Sequence, residues 1–388
     1  MKHSSLKFAL LATLGLRLTC SLYMALFSFL FPQPDCVDSL CSQNIQQALY
    51  KKSAFSNYFL APWYRWDSVK YLEISEMGYQ TENSVDSVWP PLYPLLIRGL
   101  SGIMHPMQAA LLISTLAFFM AMVFLHQNIC HIWDKKLADY SILIIVIFPS
   151  SFFFMAAYSE SLFLFLSLGC LFSAQRRNWV PAGLYGILAA MTRQLGLFLI
   201  LPLLWEIYEA YFKDKNIQWK KVLSSGICAA FIPLQTGLNF GYIHFVLKMP
   251  WPWETVTRVW SHRLTFPWTG FIANVRYLLR TPSSLMDISM IFDLFLAVLF
   301  VVLLAVKMPK MPLSYRIYGA SILLPVLVYL RQYDTFTSLN RYVLPIFPVF
   351  IGIAYYLKNK ALKLSWLAFS LSGQFLLLLC FYKWIWVA

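Results

Sequence analysis

The sequence predicts an all-α polytopic membrane protein, and three observations carry that prediction. Of 388 residues, 59% are apolar and only 12% are charged, too little charge to cover a water-exposed surface. Mean hydropathy is +0.61. The 31 Lys and Arg residues, against 17 Asp and Glu, collect in short turns between apolar runs. That placement fits the cytoplasmic edges of membrane helices rather than a basic groove for nucleic acid. Modest Gly and Pro contents and seven Cys exclude collagen-like, disordered and disulfide-scaffold classes.

A spanning helix needs about 20 apolar residues, because ~30 Å of hydrocarbon is crossed at ~1.5 Å per residue. Such runs lie at 8–31, 107–127, 137–155, 159–174, 221–247, 285–306, 314–330, 341–357 and 363–382. The stretch 179–212 is apolar over more than one crossing but is interrupted at Thr192-Arg193-Gln194, so it reads as two shorter helices, 179–191 and 195–212. The total is 9–11 transmembrane helices in a single domain, 1–388. The first run carries flanking positive charge like a signal peptide, but its length and its lack of a small-residue cleavage site make it an uncleaved first span. Arg17 within it snorkels or faces a neighbouring helix.

Orientation follows from the basic turns. With Lys2 and Lys7 inside, the inner loops hold Lys135-Lys136, Arg176-Arg177, Lys213 to Lys221, Lys307/Lys310/Arg316 and Lys358/Lys360/Lys363. The opposite side then receives two long loops, 32–106 and 248–284, together with shorter turns. Sites concentrate on such loops over a rigid helical scaffold, so function is expected there. Cys20, Cys170, Cys228 and Cys380 lie in or beside apolar spans and read as packing residues, with Cys130 at an inner edge. Cys36 and Cys41 share the first outer loop, where an oxidising compartment allows a local bridge. No Gly-rich phosphate loop, metal-spaced His/Cys cluster or short-period repeat occurs, so no cofactor and no metal are expected.

The most informative stretch runs Trp63-Tyr-Arg-Trp-Asp67 through Glu76-Met-Gly-Tyr79, followed by Trp89-Pro-Pro-Leu-Tyr-Pro. Aromatic residues beside charges fit a short helix at the membrane interface. A helix built only for adhesion favours Lys and Arg on its polar face, and Asp67, Glu73 and Glu76 depart from that. A carboxylate held at the edge of hydrocarbon is a plausible general base.

Arg65-Trp66-Asp67, Ser75-Glu76-Met-Gly78-Tyr79, Trp89-Pro90-Pro91-Leu-Tyr93-Pro94, Ala157-Tyr158-Ser159-Glu160-Ser161, Met191-Thr192-Arg193-Gln194-Leu195-Gly196 and Asn340-Arg341-Tyr342 occur in that order. Over 65–350 the chain resembles the PIG-V family of GPI mannosyltransferase 2 type, with its prokaryotic relatives, within the GT-C superfamily of membrane glycosyltransferases. The resemblance implies transfer of mannose from a polyprenyl (dolichyl) phosphate sugar donor to a glycolipid or glycan acceptor. Transfer would occur on the extracytoplasmic side with inversion at the anomeric carbon. It places Asp67 as the base and Trp66 and Glu76 among the substrate-binding residues. Nine residues of helix turn about 900°, which sets Glu76 opposite Asp67. Two departures stand out: Pro91 replaces a Gly, and Gln194-Leu195 replaces Ser-Asn after Arg193. The setting is the plasma membrane for a prokaryotic chain and the endoplasmic reticulum, with a luminal site, for a eukaryotic one. Membrane lipid is an expected partner and nucleic acid is not.

Glu160 begins a span, where an acid also suits the helix dipole; its functional reading is to orient the base or the sugar. Arg193 sits at a helix break and Arg341 at a helix start, where a cation is disfavoured unless an anion offsets it. Both are donor-phosphate candidates. In the second loop, Trp251, Trp253, Trp260 and Trp268 form either an interfacial belt or a sugar platform, with His262 and Arg263 as polar contacts. The competing readings are a secondary transporter, which would need paired interrupted helices and mid-membrane charges, and a non-catalytic polyprenyl-lipid or glycolipid binder. Asp293 is the main interior charge.

Overall fold

Residues 2–31, 56–81, 84–213, 217–280, 285–331, 335–336 and 338–387 are described by a computed structural model. Cys36, Cys41 and their expected bridge lie outside the described residues. The chain runs through α1 (Lys2–Leu30), α2 (Asp67–Met77), α3 (Leu92–Leu100), α4 (Pro106–Ile132), α5 (Lys135–Ile147), α6 (Glu160–Gln175), α7 (Trp179–Ala190), α8 (Ile200–Tyr211) and α9 (Trp219–Gly241). It continues through α10 (Pro252–Trp260), α11 (Thr269–Arg280), α12 (Leu285–Ala305), α13 (Leu313–Val328), α14 (Leu339–Tyr342), α15 (Phe347–Tyr356) and α16 (Lys360–Tyr382). The expected all-α membrane architecture is what forms. Among the described residues its one sheet is a two-residue pairing of β1 (Arg263–Leu264) with β2 (Tyr329–Leu330).

Local chemistry starts the helices where it should. His105 Nδ1 accepts from the Met107 N–H at 3.2 Å and Gln108 reaches back to the His105 N–H, with Pro106 at the first helical position, a reciprocal cap at the head of α4. Asp134 caps α5 and Asn359 caps α16 in the same way, each at 2.8 Å. Arg17, in α1, faces α4: its Nε donates to Thr115 Oγ1 and its Nη2 to the Leu111 carbonyl, each at 3.0 Å.

Four helices are long and apolar enough to cross a membrane among the described residues: Ser4–Leu30, Pro106–Ile132, Trp219–Val246 and Lys360–Tyr382. Several others are shorter than the sequence suggested. The run 137–155 ends as a helix at Ile147, just before Pro149, and the run 341–357 divides into α14 and α15 around Pro345 and Pro348. Proline lacks the N–H that a helix interior needs, which explains both breaks. A 10- to 16-residue helix covers only ~15–24 Å. The remaining height is taken by irregular backbone, such as the 3-10 turns Ser151–Phe154 and Gln194–Leu199. That backbone is tolerated at depth only inside protein. Phe152 through Glu160, Leu344 and Ile346 are accordingly buried.

The two ends of the bundle differ in kind. At one end the basic turns are joined: Trp133 Nε1 donates to the Pro309 carbonyl, Tyr356 Oη to that of Lys307, and the Lys363 ammonium lies over the Tyr140 ring. At the other, the shortened helices stop early, and described parts of both long loops and the C-terminal residues pack together there.

Candidate active site

Asp67 is the first residue of α2, placed there by a tight turn. Trp66 has φ 52°, a left-handed conformation that a bulky residue adopts only when its surroundings enforce it. Those surroundings are the Trp384 and Trp386 rings, meeting the Trp66 ring edge-on at 5.2 and 4.7 Å. Arg65 is fully buried and acts as a peg. Its Nη1 donates to the Ala61 and Tyr64 carbonyls and its Nε to that of Tyr382, and its guanidinium lies 4.9 Å over Trp384. Ser68 Oγ accepts the Arg65 N–H at 2.8 Å. The result is a carboxylate at a helix N-terminus, where the dipole favours it.

Arg341 arrives from the opposite end of the sequence. Ser338, at φ 62°, starts α14, and the Asn340 N–H donates to Asp293 Oδ1 at 2.7 Å. The Asn340 carbonyl accepts from Ser150 Oγ at 2.6 Å. Interior Asp293 therefore anchors the short helix that carries Arg341.

Arg193 is held by the break after α7. The Leu92 N–H donates to the Met191 carbonyl, and Gln194 Nε2 donates to that of Val88 at 3.2 Å, so the break also clamps the Trp89-Pro90-Pro91 turn. Gly196 allows the chain to fold back here, because a Cβ on it would sit 2.5 Å from Ala190 Cα.

These elements bring four charges into one chain. Arg341 Nη2 donates to Asp67 Oδ2 at 2.5 Å. Its Nε donates to Glu160 Oε1, and Arg193 Nη1 donates to the same oxygen. Glu160 is wholly buried, and its Oε2 has no hydrogen-bond partner among the described residues. Arg341 also lies 4.7 Å over the Tyr158 ring, and Arg193 5.2 Å over that of Tyr342. Asp67 is 23% exposed against 5% for Arg341, so the chain is buried at Glu160 and opens outward at Asp67. Arg341 holds Asp67 through Oδ2, and this partly exposed carboxylate is the outermost member of the chain.

A second ionic cluster lies further along α2. Lys70 Nζ is 2.7 Å from Glu73 Oε2 and 3.7 Å from Asp86 Oδ1, and the Gln80 N–H donates to Asp86 Oδ2. Burial pushes the Asp86 carboxyl above the usual carboxylate range, against the pull of the Gln80 bond and of Lys70. Around it the two long loops meet: Ser87 and Thr255 hydroxyls are 2.9 Å apart, and the Trp89 and Trp260 rings 5.9 Å.

Of the residues singled out in the sequence, Asp67, Glu160, Arg193 and Arg341 are brought together, with Trp66 beside them. Glu76 is exposed at the far end of α2. His262 stacks on Tyr329 at 5.3 Å, and burial with the charge of Arg331 lowers its imidazole to about 4, so it is neutral near pH 7. Arg263 is an exposed strand residue paired across to Leu330. Trp251 is stacked between His244 and Trp253, so its faces are occupied. Sequence reasoning missed Lys70, Asp86, Arg331, Trp384 and Trp386. The two tryptophans did leave a signal: an indole pair directly after the last span, at the same face as the first loop.

The family described as Mannosyltransferase (PIG-V) matches residues 6–245. GPI mannosyltransferase 2 of Yarrowia lipolytica is 26% identical over 200 residues, covering 50% of this chain and 52% of that protein. GPI alpha-1,6-mannosyltransferase 2 of Rattus norvegicus is 32% identical over 145 residues, 34% of this chain and 29% of its own length; the Mus musculus protein of the same name matches equally. The matches thus span about half or less of these relatives. No solved structure matches.

Proposed function

Because the chain belongs to the PIG-V mannosyltransferase family, we propose that it is a GT-C-type membrane mannosyltransferase. It moves mannose from a polyprenyl-phosphate donor to a lipid-linked or glycan acceptor at the outer, extracytoplasmic or luminal, ends of its helices. The observation that carries this reading is the Asp67–Arg341–Glu160–Arg193 chain, buried at one end and open at the other.

Inversion needs a base for the incoming hydroxyl on one side of the anomeric carbon and stabilisation of the departing phosphate on the other. Asp67 takes the first role: the acceptor hydroxyl gives its proton to the carboxylate as the hydroxyl oxygen attacks, and the bond from the anomeric carbon to the phosphate oxygen breaks with its electron pair. Arg341 takes the second. A guanidinium has five donors, and Arg341 engages Glu160 through Nε and Asp67 through Nη2. Its position between base and leaving group ties the two: phosphate charge grows as the bond breaks, so the contact strengthens toward the transition state. Glu160, too deep for substrate, keeps Arg193 and Arg341 side by side. A simple lipid binder has no use for a base at the exposed end of this chain, and a secondary transporter would need paired interrupted helices.

The test is Asp67→Asn in nanodiscs. The variant should bind polyprenyl-phosphate mannose like the parent and turn over ~10²–10⁴-fold more slowly, the usual cost of removing a general base. Parental turnover in a folded variant would remove Asp67 from the chemistry.

A further inference from the structure

The four-residue chain is electrically balanced: two guanidiniums face two carboxylates. A lipid phosphate that Arg341 meets as it departs brings a further negative charge that these four residues do not balance. Uncommitted hydrogen-bond donors lie one residue away. Trp66, Trp384 and Trp386 pack into one cluster, and the indole N–H of each is buried without a hydrogen-bond partner among the described residues. Buried polar groups are nearly always satisfied, so three orphaned donors in one place call for a ligand. Arg331 follows β2 and lies 5.9 Å over the Trp386 ring; it has no carboxylate within ion-pair distance among the described residues. Its charge reaches His262 on the other side. The cluster therefore offers donors and a cation and no carboxylate except Asp67 at its edge. Sugar hydroxyls would call for acceptors as well; an oxyanion would not.

We propose that Trp66, Trp384, Trp386 and Arg331 form an oxyanion subsite contiguous with Asp67 that binds the phosphate of a lipid-linked substrate. The proposal rests on the transferase reading only in calling that lipid a substrate. Two sources share the chemistry: a polyprenyl monophosphate, as in the donor, and a phosphoinositide-type phosphodiester, as in a glycolipid acceptor.

The experiment measures binding of dolichyl monophosphate and, separately, of phosphatidylinositol to the full chain in neutral-lipid nanodiscs. It compares the parent with Trp386→Phe, which keeps an aromatic ring and removes the N–H, and with Arg331→Gln. Loss of one hydrogen bond to a charged acceptor corresponds to roughly a 10-fold weakening or more. Such weakening for dolichyl phosphate alone assigns the subsite to the donor; for phosphatidylinositol alone, to the acceptor. Parental affinity of both variants for both lipids overturns the proposal and makes the indoles packing groups. Should Arg331→Gln fail to fold, Trp386→Phe decides alone. Mannose transfer is followed in the same preparations. Parental binding with parental transfer sinks the subsite and spares the Asp67 reading. Weakened binding in the variants, with a parent that transfers no mannose, keeps the subsite and sinks the transferase reading.

Discussion

Helix α2 carries two ionic clusters, and they are built in opposite ways. The Lys70–Glu73–Asp86 cluster is local, spanning an i, i+3 pair and a loop sixteen residues away. The Asp67 cluster takes its partners from α6, the α7 break and α14, with Arg341 lying 274 residues from Asp67. The local cluster ties α2 to the rest of the first outer loop. The distant one gathers four separate helix ends around a single buried carboxylate. A local cluster forms as soon as its own segment folds. A long-range cluster exists only when the whole bundle is closed, so it holds its geometry as firmly as the bundle does.

That contrast is sharpest at Glu160. Removing it by Glu160→Ala leaves two guanidiniums buried without their shared partner, and breaking a buried pair costs ~3–5 kcal/mol. The thermal unfolding midpoint in nanodiscs should drop by more than for any substitution in the Lys70 cluster. An equal drop for Lys70→Met would erase the distinction. Next comes Arg341→Lys, which keeps the charge and loses the planar fork that reaches Glu160 and Asp67 together. Transfer should fall by about 10-fold or more in single-turnover rate, because the lost contact belongs to the transition state, while the unfolding midpoint moves less than for Glu160→Ala.

The local cluster is read through pH. Burial raises the Asp86 carboxyl above its ordinary 3.8, so at pH just above that value the folded protein holds a proton that the unfolded chain has released. Stability from this group is therefore full below 3.8 and falls as pH rises through the raised folded value. Asp86→Asn should flatten the fall in unfolding midpoint as pH rises above 3.8; an unchanged slope would mean that Asp86 is not its source. The smallest effect is expected at Glu76. It is exposed at the C-terminal turn of α2, so Glu76→Gln should change stability by no more than ~0.5 kcal/mol and leave the Asp67 cluster untouched. A loss of transfer there would give this residue the acceptor role that its match to the family suggests.

Composition and the spacing of apolar runs were enough to establish a helical membrane protein, because burying ~20-residue apolar segments is a property of each segment alone. The basic turns supplied an expectation of in–out alternation for a similar reason: each charge acts on its own loop. Asp67, Glu160, Arg193 and Arg341 were also legible one by one, the acids as carboxylates at the edge of hydrocarbon and the arginines as cations at helix ends that need an anion. What the sequence could not supply was their joining. Whether Arg341 faces a phosphate or Asp67 depends on where Pro345 and Pro348 interrupt the span, where Asp293 pins the short helix before them, and how far the α7 break carries Arg193 inward. The same holds for Trp384 and Trp386, whose indoles matter only because α16 returns to the face where Trp66 waits. Contacts across hundreds of residues have no local pattern to announce them. They follow from the closed bundle, in which four helix ends converge on the buried Glu160.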